Sequence, residues 1–180
     1  MTSLAEYLKT PGAVAVIPTD TVYGVVARAA DPEAVAKLYA LKNRHAKPGT
    51  LIAASIDQLV ALGFKRRYVT AVEQFWPGAV SVIIPCAHLE YLHQGVGSLA
   101  VRIPDDPWLI ELLSQTGPLQ TSSANQPGEP PATTVQEAKD YFGDEVAWYE
   151  DGGVVDRPSS TVIQVIDDAI EVVRQGAVKL

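Results

Sequence analysis

Cysteine is almost absent from this sequence, since its 180 residues include only Cys86. One cysteine cannot form an internal disulfide bond, so the fold cannot depend on an oxidising compartment. Long apolar runs are also missing, because no stretch has the roughly eighteen uninterrupted apolar residues that a membrane-spanning helix needs. The first ten residues lack a basic cluster followed by an apolar run, the pattern of a targeting segment. We therefore expect a cytoplasmic protein without a membrane partner.

Positive charge is scarce. Lysine and arginine number 14 against 21 aspartates and glutamates, which gives a formal net charge of -7. A broad phosphate-binding surface of the kind that drives nonspecific nucleic-acid binding is disfavoured by this balance. Any basic site must therefore be local.

Familiar nucleotide and metal motifs are missing too. The sequence contains no GxxxxGK[ST], so ATP would not be held by a P-loop, and Gly95-Val96-Gly97 lacks the rest of a dinucleotide fingerprint. The three histidines, His45, His88 and His93, have neither metal-ligand spacing nor cysteine partners. No metal site is predicted from protein side chains, and the histidines are expected to be surface or structural residues.

The composition that remains is globular, with 47% hydrophobic and 19% charged residues. The length suits one hydrophobic core, so we expect a single domain over residues 1–180. Apolar runs of strand length alternate with stretches of helical periodicity, which indicates an α/β (α+β) protein with a sheet covered by helices. Strands are predicted at 13–17, 22–27, 51–54, 80–84, 99–103, 119–122, 160–166 and 170–174. Helices are predicted at 2–9, from 31–33 to 42, and at 55–62, 68–75, 107–115 and after 134.

Capping residues mark several of these boundaries. Asp31-Pro32-Glu33 is a strong helix start, because Asp caps free amides, Pro suits the first turn and Glu complements the helix dipole. Ser55 with Gln58 and Thr134 with Glu137 match the capping-box pattern. Asp167-Asp168-Ala169 separates the last two strands and predicts a hairpin.

Polar residues follow the first strand in the segment Pro18–Gly24, which reads PTDTVYG. It places two threonine hydroxyls and a phenol where loops over a sheet edge commonly form ligand sites. A polar turn with an ordinary packing aromatic explains the same residues, and both interpretations stay open.

Lys42-Asn43-Arg44 lies where a helix gives way to a polar stretch. Cations at a helix C-terminus interact favourably with its dipole, which is a sufficient structural explanation. A triphosphate would also suit this pair, with Arg as a planar fork and Lys as a mobile point charge. Residues two apart do not share a helix face, so this second interpretation requires the helix to end between them.

Thr121, Ser123 and Asn125 follow a strand at alternating positions and could present their polar groups together. A Ser- and Asn-rich turn explains them equally well. Arg102 ends an otherwise apolar strand, so its side chain reaches either a cavity or a carboxylate. Ser160 and Arg174 are similarly ambiguous by themselves.

The combination of segments is more specific than any one of them. In order along the chain they read PTDTVYG, KNR, WPGAVS, AVRIP, TSSAN and SSTV. This series resembles the TsaC/YrdC family over nearly the whole chain, in the short form that lacks an extra C-terminal domain. A Lys-x-Arg and a Ser-x-Asn form the family signature, and here they are Lys42 with Arg44 and Ser123 with Asn125.

The resemblance implies a twisted mixed β-sheet flanked by helices, of the YrdC/RibB-like kind, with a deep and locally positive cavity. It also implies that the protein forms threonylcarbamoyl-AMP from L-threonine, bicarbonate and ATP. That product would pass to a tRNA threonylcarbamoyl transferase, with at most a weak or transient tRNA contact. Mg²⁺ would be held mainly by the phosphates of ATP.

Individual residues take roles from the same resemblance. Those that would face ATP are Lys42, Arg44, Ser123, Asn125 and Arg174, with Lys42 and Arg44 in the catalytic role of neutralising phosphate charge. Those that would surround threonine are Thr21, Tyr23, Arg102 and Ser160.

Some positions depart from the family pattern. His45 stands where the family usually has Pro, the loop to Leu51 is shortened, and Ala79 and Ser81 stand in a segment that more often reads Pro-Gly-Pro-x-Thr. Two other functions stay open. The basic run Lys65-Arg66-Arg67 is compatible with a noncatalytic RNA-binding module, and the scaffold is compatible with a paralogous enzyme that handles a related nucleotide.

Overall fold

A computed structural model describes residues 1–180. The strands are β1 Val14–Ile17, β2 Gly24–Arg28, β3 Thr50–Ile52, β4 Val80–Pro85, β5 Ser98–Arg102, β6 Leu119–Ser123, β7 Trp148–Tyr149, β8 Thr161–Ile166 and β9 Ala169–Arg174. The helices are α1 Leu4–Leu8, α2 Pro32–Leu41, α3 Ile56–Leu62, α4 Arg66–Thr70, α5 Glu90–His93, α6 Pro107–Thr116 and α7 Val135–Phe142, with 3-10 turns at Glu73–Phe75 and Gly143–Glu145. No helix is both long and apolar enough to cross a membrane.

All nine strands join one sheet in the order β7-β1-β2-β6-β3-β5-β4-β8-β9. The pairs β1/β7, β3/β5 and β4/β8 are parallel, and the other pairs are antiparallel. The sheet is therefore mixed, and the helices flank it. This confirms the predicted α/β architecture.

Two apolar clusters lie on opposite faces of the sheet. The larger contains 31 buried residues, and strand residues such as Val25 and Ala27 belong to it together with residues of α2, α3, α4, α5 and α7. The smaller contains 11, and it packs α1 and α6 against Val26, Ile52 and Leu119. Because neighbouring strand residues point to opposite faces, each face has its own core. The smaller core covers only part of its face, and the remainder borders a cavity.

Capping explains where the best-predicted helix begins. The Asp31 carboxylate accepts hydrogen bonds from the amides of Glu33 and Ala34, at 3.0 and 3.1 Å, and Pro32 occupies the first turn. At Ser55 only half of the predicted capping box forms. The Ser55 hydroxyl accepts from the amide of Gln58, but the Gln58 side chain accepts from the amide of Ala54 instead.

One predicted helix was wrong in its extent. The stretch 68–75 was expected to be a single helix, but α4 runs over Arg66–Thr70 and a separate 3-10 turn covers Glu73–Phe75. Lys65, the N-cap of α4, makes no side-chain capping bond, so the sequence carries no local signal for this start.

The predicted C-terminal hairpin is confirmed. Strands β8 and β9 pair in antiparallel register from Ile166 with Ala169 to Val162 with Arg174. Asp167 and Asp168 occupy the turn with φ angles of 48° and 63°. Two successive left-handed residues are typical of the tight type I′ turn, which matches the twist of the flanking strands.

Candidate functional site

A cavity of about 310 Å³ lies on the part of the sheet face that α1 and α6 leave open. Its floor consists of strand residues that share a face, and loops form its walls. Most of the 20 lining residues are polar or glycine, and none is acidic. They are Thr19, Thr21, Val22, Gly24, Arg44, Pro48, Gly49, Thr50, Ile83, Val96, Ser98, Ala100, Arg102, Thr121, Ser122, Ser123, Ser159, Ser160, Val162 and Arg174.

Three guanidinium groups, those of Arg44, Arg102 and Arg174, line this cavity. Burial lowers the pKa of Arg174, and the nearby charges of Arg102 and Arg44 lower it further. The pKa of Arg44 is also lowered by burial. Arg44 and Arg174 have no carboxylate partner, and no acidic residue lines the cavity, so the cavity is suited to an anionic ligand.

Arg102 makes the one buried ion pair of the protein. Its Nε and Nη2 atoms donate to the two carboxylate oxygens of Asp20 at 3.1 and 2.9 Å, and both side chains are almost fully buried. Its Nη1 atom donates to the Ser81 hydroxyl at 3.1 Å. Both possibilities drawn from the sequence are therefore realised, because Arg102 borders the cavity and also pairs with a carboxylate.

A chain of hydroxyl contacts connects Arg102 to Arg174. The Ser81 and Ser160 hydroxyls lie 2.9 Å apart, and Nη2 of Arg174 donates to the Ser160 carbonyl and hydroxyl oxygens at 2.8 and 3.2 Å. Strands β4 and β8 are parallel neighbours, which brings these two serines together. Ser81, a departure from the family pattern, thus joins two arginines of the cavity.

The Lys-x-Arg segment places its two charges differently. Helix α2 ends at Leu41, and Asn43 has a left-handed backbone with φ of 47°, so the chain turns between Lys42 and Arg44. Arg44 lines the cavity, but Lys42 does not. The Lys42 ammonium is buried beneath the Ser-x-Asn loop. It donates to the Ser123 carbonyl at 2.7 Å, to the Asn125 side-chain oxygen at 2.8 Å, and to the Asn125 carbonyl.

Burial lowers the pKa of Lys42 to about 8, and the charge of Arg44 acts in the same direction. The three oxygen acceptors favour the charged ammonium and oppose this shift. All three of its N–H donors have partners in the Ser-x-Asn loop.

The Ser-x-Asn segment is a turn held by its own side chains. The Ser123 hydroxyl donates to the Asn125 side-chain oxygen at 2.7 Å, and the Asn125 amide nitrogen donates to the Glu129 carbonyl at 2.6 Å. Ser123 borders the cavity, and Asn125 lies behind it. Of the five residues predicted to face ATP, the structure thus brings Arg44, Ser123 and Arg174 to the cavity, with Lys42 and Asn125 supporting its wall.

The residues predicted to surround threonine are also divided. Thr21, Arg102 and Ser160 border the cavity. Tyr23 does not, because it is fully buried on the face opposite Gly24. Its hydroxyl donates to the Gly153 carbonyl at 2.8 Å and accepts from the Gly152 amide at 2.9 Å. Tyr23 therefore supports the neighbouring loop rather than joining the other three.

Some site residues were missed from the sequence. No role was predicted for Asp20, although it lies in the segment PTDTVYG and a buried arginine needs a carboxylate partner. Thr50 borders the cavity from a strand too short to show alternation. Gly49 packs so closely on β6 that an added Cβ would overlap the Thr121 carbonyl. No local signal marks that contact.

The sequence matches known proteins over most of its length. The Sua5/YciO/YrdC family model, described as telomere recombination, matches residues 7–176. A threonylcarbamoyl-AMP synthase of Bacillus subtilis is 33% identical over 173 residues, which span 92% of this chain and 50% of that protein. The threonylcarbamoyl-AMP synthase of Pseudomonas syringae is 32% identical over 170 residues, 92% of this chain and 91% of that protein.

Solved structures of two related proteins share this fold. P. abyssi Sua5 complexed with L-threonine superposes with a TM-score of 0.84 at 27% identity, over 96% of this chain and 52% of that one. E. coli YciO shares the fold, with a TM-score of 0.81 at 22% identity, over 96% of this chain and 86% of that one. The chain spans about half the length of the Bacillus and P. abyssi proteins. The chain belongs to the Sua5/YciO/YrdC family, which confirms the resemblance to TsaC/YrdC proteins that its motifs predicted.

Proposed function

We propose that this protein is an L-threonylcarbamoyladenylate synthase, an enzyme that joins L-threonine, bicarbonate and ATP into threonylcarbamoyl-AMP. The observation that carries the proposal is the convergence of Arg44, Arg102 and Arg174 on one hydroxyl-lined cavity. Arg44 and Ser123, which also borders this cavity, belong to the family signature. Relatives at 32–34% identity are named threonylcarbamoyl-AMP synthases. The P. abyssi relative was solved with L-threonine.

The cavity offers one set of groups for each substrate. In this proposal Arg44 and Arg174 bind the phosphates of ATP, and Ser123 binds the nucleotide beside them. Lys42 and Asn125 hold Ser123 in place and add positive charge behind it. Arg102 contacts the carboxylate of threonine through the N–H groups that Asp20 and Ser81 leave free, while Thr21 and Ser160 lie near the threonine side chain.

The reaction needs two bond-forming steps. The threonine amine attacks the carbon of bicarbonate, and water leaves, which gives a carbamate. A carbamate oxygen then bonds to the α-phosphorus of ATP as the bond to the β-phosphate oxygen breaks, and pyrophosphate departs. No covalent enzyme nucleophile is required, so catalysis rests on positioning and on neutralising phosphate charge, in a nucleotidyltransferase mechanism.

The cavity is compatible with Mg²⁺ brought in by ATP. No cluster of three His, Cys, Asp or Glu side chains is present that could hold a metal ion, and the carboxylate nearest the site, Asp20, is paired with Arg102. Mg²⁺ keeps much of its water shell and is commonly bound through substrate phosphates. Bound in that way, it would supply further neutralisation of phosphate charge.

The product would pass to a tRNA threonylcarbamoyl transferase in the cytoplasm. The alternative of a noncatalytic RNA-binding module has little support. Within the basic run 65–67, Arg66 pairs with Asp57 at 2.7 Å and the Arg67 guanidinium lies 4.7 Å from the ring centroid of Tyr68. Two of its three charges therefore already contact neighbouring side chains. A paralogous enzyme that handles a related nucleotide is the alternative to be tested.

Pyrophosphate release from ATP tests the function directly. We expect release to require both threonine and bicarbonate, with threonylcarbamoyl-AMP as the product. Serine should replace threonine better than valine does, because a site that bonds a hydroxyl rejects an analogue without one. Release that is independent of threonine would contradict the proposed function, and equal use of valine would contradict the assigned threonine contacts.

A further inference from the structure

The carboxamide of Gln94 bridges two points on the loop that carries Arg44. Its Nε2 atom donates to the Arg44 carbonyl at 2.9 Å, and its Oε1 atom accepts from the Lys47 amide at 3.1 Å. Gln94 follows α5, far from this loop in sequence, and its side chain is partly buried. Nothing in the sequence pattern singled it out.

The loop that carries Arg44 contains no regular secondary structure. No helix or strand lies between Leu41 and Thr50, and Asn43 and Ala46 both have left-handed backbones. The Arg44 amide donates to the Tyr39 carbonyl, which fixes only the start of the turn. Nη1 of Arg44 donates to the Lys47 carbonyl at 3.1 Å. Gln94 thus bonds the backbone of both Arg44 and Lys47, and the Arg44 side chain spans the same two residues.

Gln94 is itself held on a tight turn. The Nδ1 atom of buried His93 accepts from the amides of Gly95 and Gly97, each at 3.1 Å. The amide of Gln94 donates to the Glu90 carbonyl at 2.7 Å. Val96, on the same turn, borders the cavity. The bridge therefore joins two walls of the site, and its far end has a fixed position.

We infer that Gln94 is a positioning residue for Arg44, which holds the backbone from which the guanidinium reaches the phosphates of ATP. The inference rests on the proposed function. A carboxamide suits this place because it donates and accepts at once. A carboxylate at position 94 would accept from Lys47 but would be repelled by the Arg44 carbonyl, and asparagine is one methylene too short to span both partners.

Two variants test the bridge. Gln94→Asn tolerates the left-handed backbone that residue 94 adopts, with φ of 53°, and Gln94→Glu keeps the side-chain length. We expect each to lower kcat/KM for ATP by roughly ten- to a hundredfold, the scale of a small misplacement of a catalytic group. KM for threonine should change less. Gln136→Asn, on the exposed surface of α7, is the matched control and should keep normal activity.

A double variant separates positioning from a general structural role. If Gln94 acts through Arg44, adding Gln94→Asn to Arg44→Ala should cost little beyond Arg44→Ala alone. An equal loss in both backgrounds would overturn the inference, as would near-normal activity of Gln94→Asn and Gln94→Glu.

Binding of a nonhydrolysable ATP analogue, measured by calorimetry, separates this inference from the proposed function. Normal binding by the wild-type protein with weaker binding by Gln94→Asn supports the inference even if threonine is not the substrate. Equal binding by both proteins contradicts the inference alone. Absence of binding by the wild-type protein contradicts the proposed function and this inference together.

Discussion

Burial lowers the pKa of Arg44, and no carboxylate pairs with its guanidinium. Because no acidic side chain neutralises this charge, it is available to a ligand. We predict that Arg44→Ala folds normally but loses about a hundredfold or more in pyrophosphate release, the usual scale when a preorganised charge-stabilising group is removed. Arg44→Lys should also be damaging, because it keeps the charge but loses the planar fork.

Pyrophosphate release and thermal unfolding, measured on both Arg44 variants, check this prediction. Arg66→Ala is a suitable control, since its pair with Asp57 is exposed and such pairs contribute little stability. Near-normal release from a folded Arg44→Ala protein would remove the central residue of the proposed site.

The lowered pKa of Lys42 has a consequence for stability. Its folded pKa of about 8 lies below the value of about 10.4 for a lysine in an unfolded chain. Between these values the unfolded state binds the extra proton, so the contribution of Lys42 to the free energy of unfolding rises with pH from about 8 to about 10.

The difference in the free energy of unfolding between the wild-type protein and Lys42→Met, measured across this pH range, isolates the effect of Lys42. Both proteins contain the same tyrosines, which ionise at similar pH, so their contribution cancels. We expect the wild-type protein to gain stability relative to Lys42→Met as the pH rises. A difference that stays constant, or that falls, would show that the three oxygen acceptors outweigh burial and keep Lys42 charged.

The Lys-x-Arg motif shows how far residue-level reasoning reaches. Binding of one ligand by both charges required the helix to end between Lys42 and Arg44, and the helix ends slightly earlier, at Leu41 with Lys42 as its C-cap. They did not reveal that the chain then turns through Asn43 and sends the two side chains to different sides of the Ser-x-Asn loop. That outcome depends on β6, which lies about eighty residues further along the chain.

At the scale of elements, the sequence correctly predicted features that depend on neighbouring residues, such as a helix start and a hairpin turn. Asp31 and Pro32 fixed the start of α2, and the last two strands formed the expected hairpin. Strand β7, only two residues long, was missed because Trp148-Tyr149 is too short to show alternation. The extent of α4 was wrong because its first turn has no capping side chain.

The hairpin turn offers a prediction about stability. Asp167 and Asp168 adopt left-handed backbones, which are strained for most residues and free of strain for glycine. Asp168→Gly should therefore stabilise the protein by up to about 1 kcal/mol, which corresponds to a rise in melting temperature of about 2–4 °C for a chain of this size. It also removes one of two adjacent negative charges.

Thermal unfolding of Asp168→Gly measures the gain. Asp156→Gly is the matched control, because Asp156 is exposed and does not adopt a left-handed backbone. The control should give no increase, since glycine there only adds freedom to the unfolded chain. Equal melting temperatures for the two variants would argue against strain in the turn.

At the scale of the whole molecule, the site depends on strand order. Residues of β2, β3, β4, β5, β6, β8 and β9 border one cavity, although they are spread from Gly24 to Arg174. Periodicity predicts which residues form strands but not which strands become neighbours. The family resemblance supplied that information for the signature residues. It did not extend to Asp20 or Gln94, whose roles follow from contacts between distant segments.

Arg174 lies on β9, one of the two edge strands of the sheet, which pairs only with β8. All six residues of β9 keep much of their surface exposed, although the guanidinium of Arg174 reaches the cavity. Edge strands with few buried contacts open most readily in native-state fluctuations. A ligand that binds Arg174 must therefore reduce these openings, so amide hydrogen exchange in β9 should slow when an ATP analogue is bound, while exchange in buried β1 changes little. The rate at which nucleotide leaves would then be limited by the fraying of this strand, and ligand residence time would depend on how firmly the chain's last strand is held.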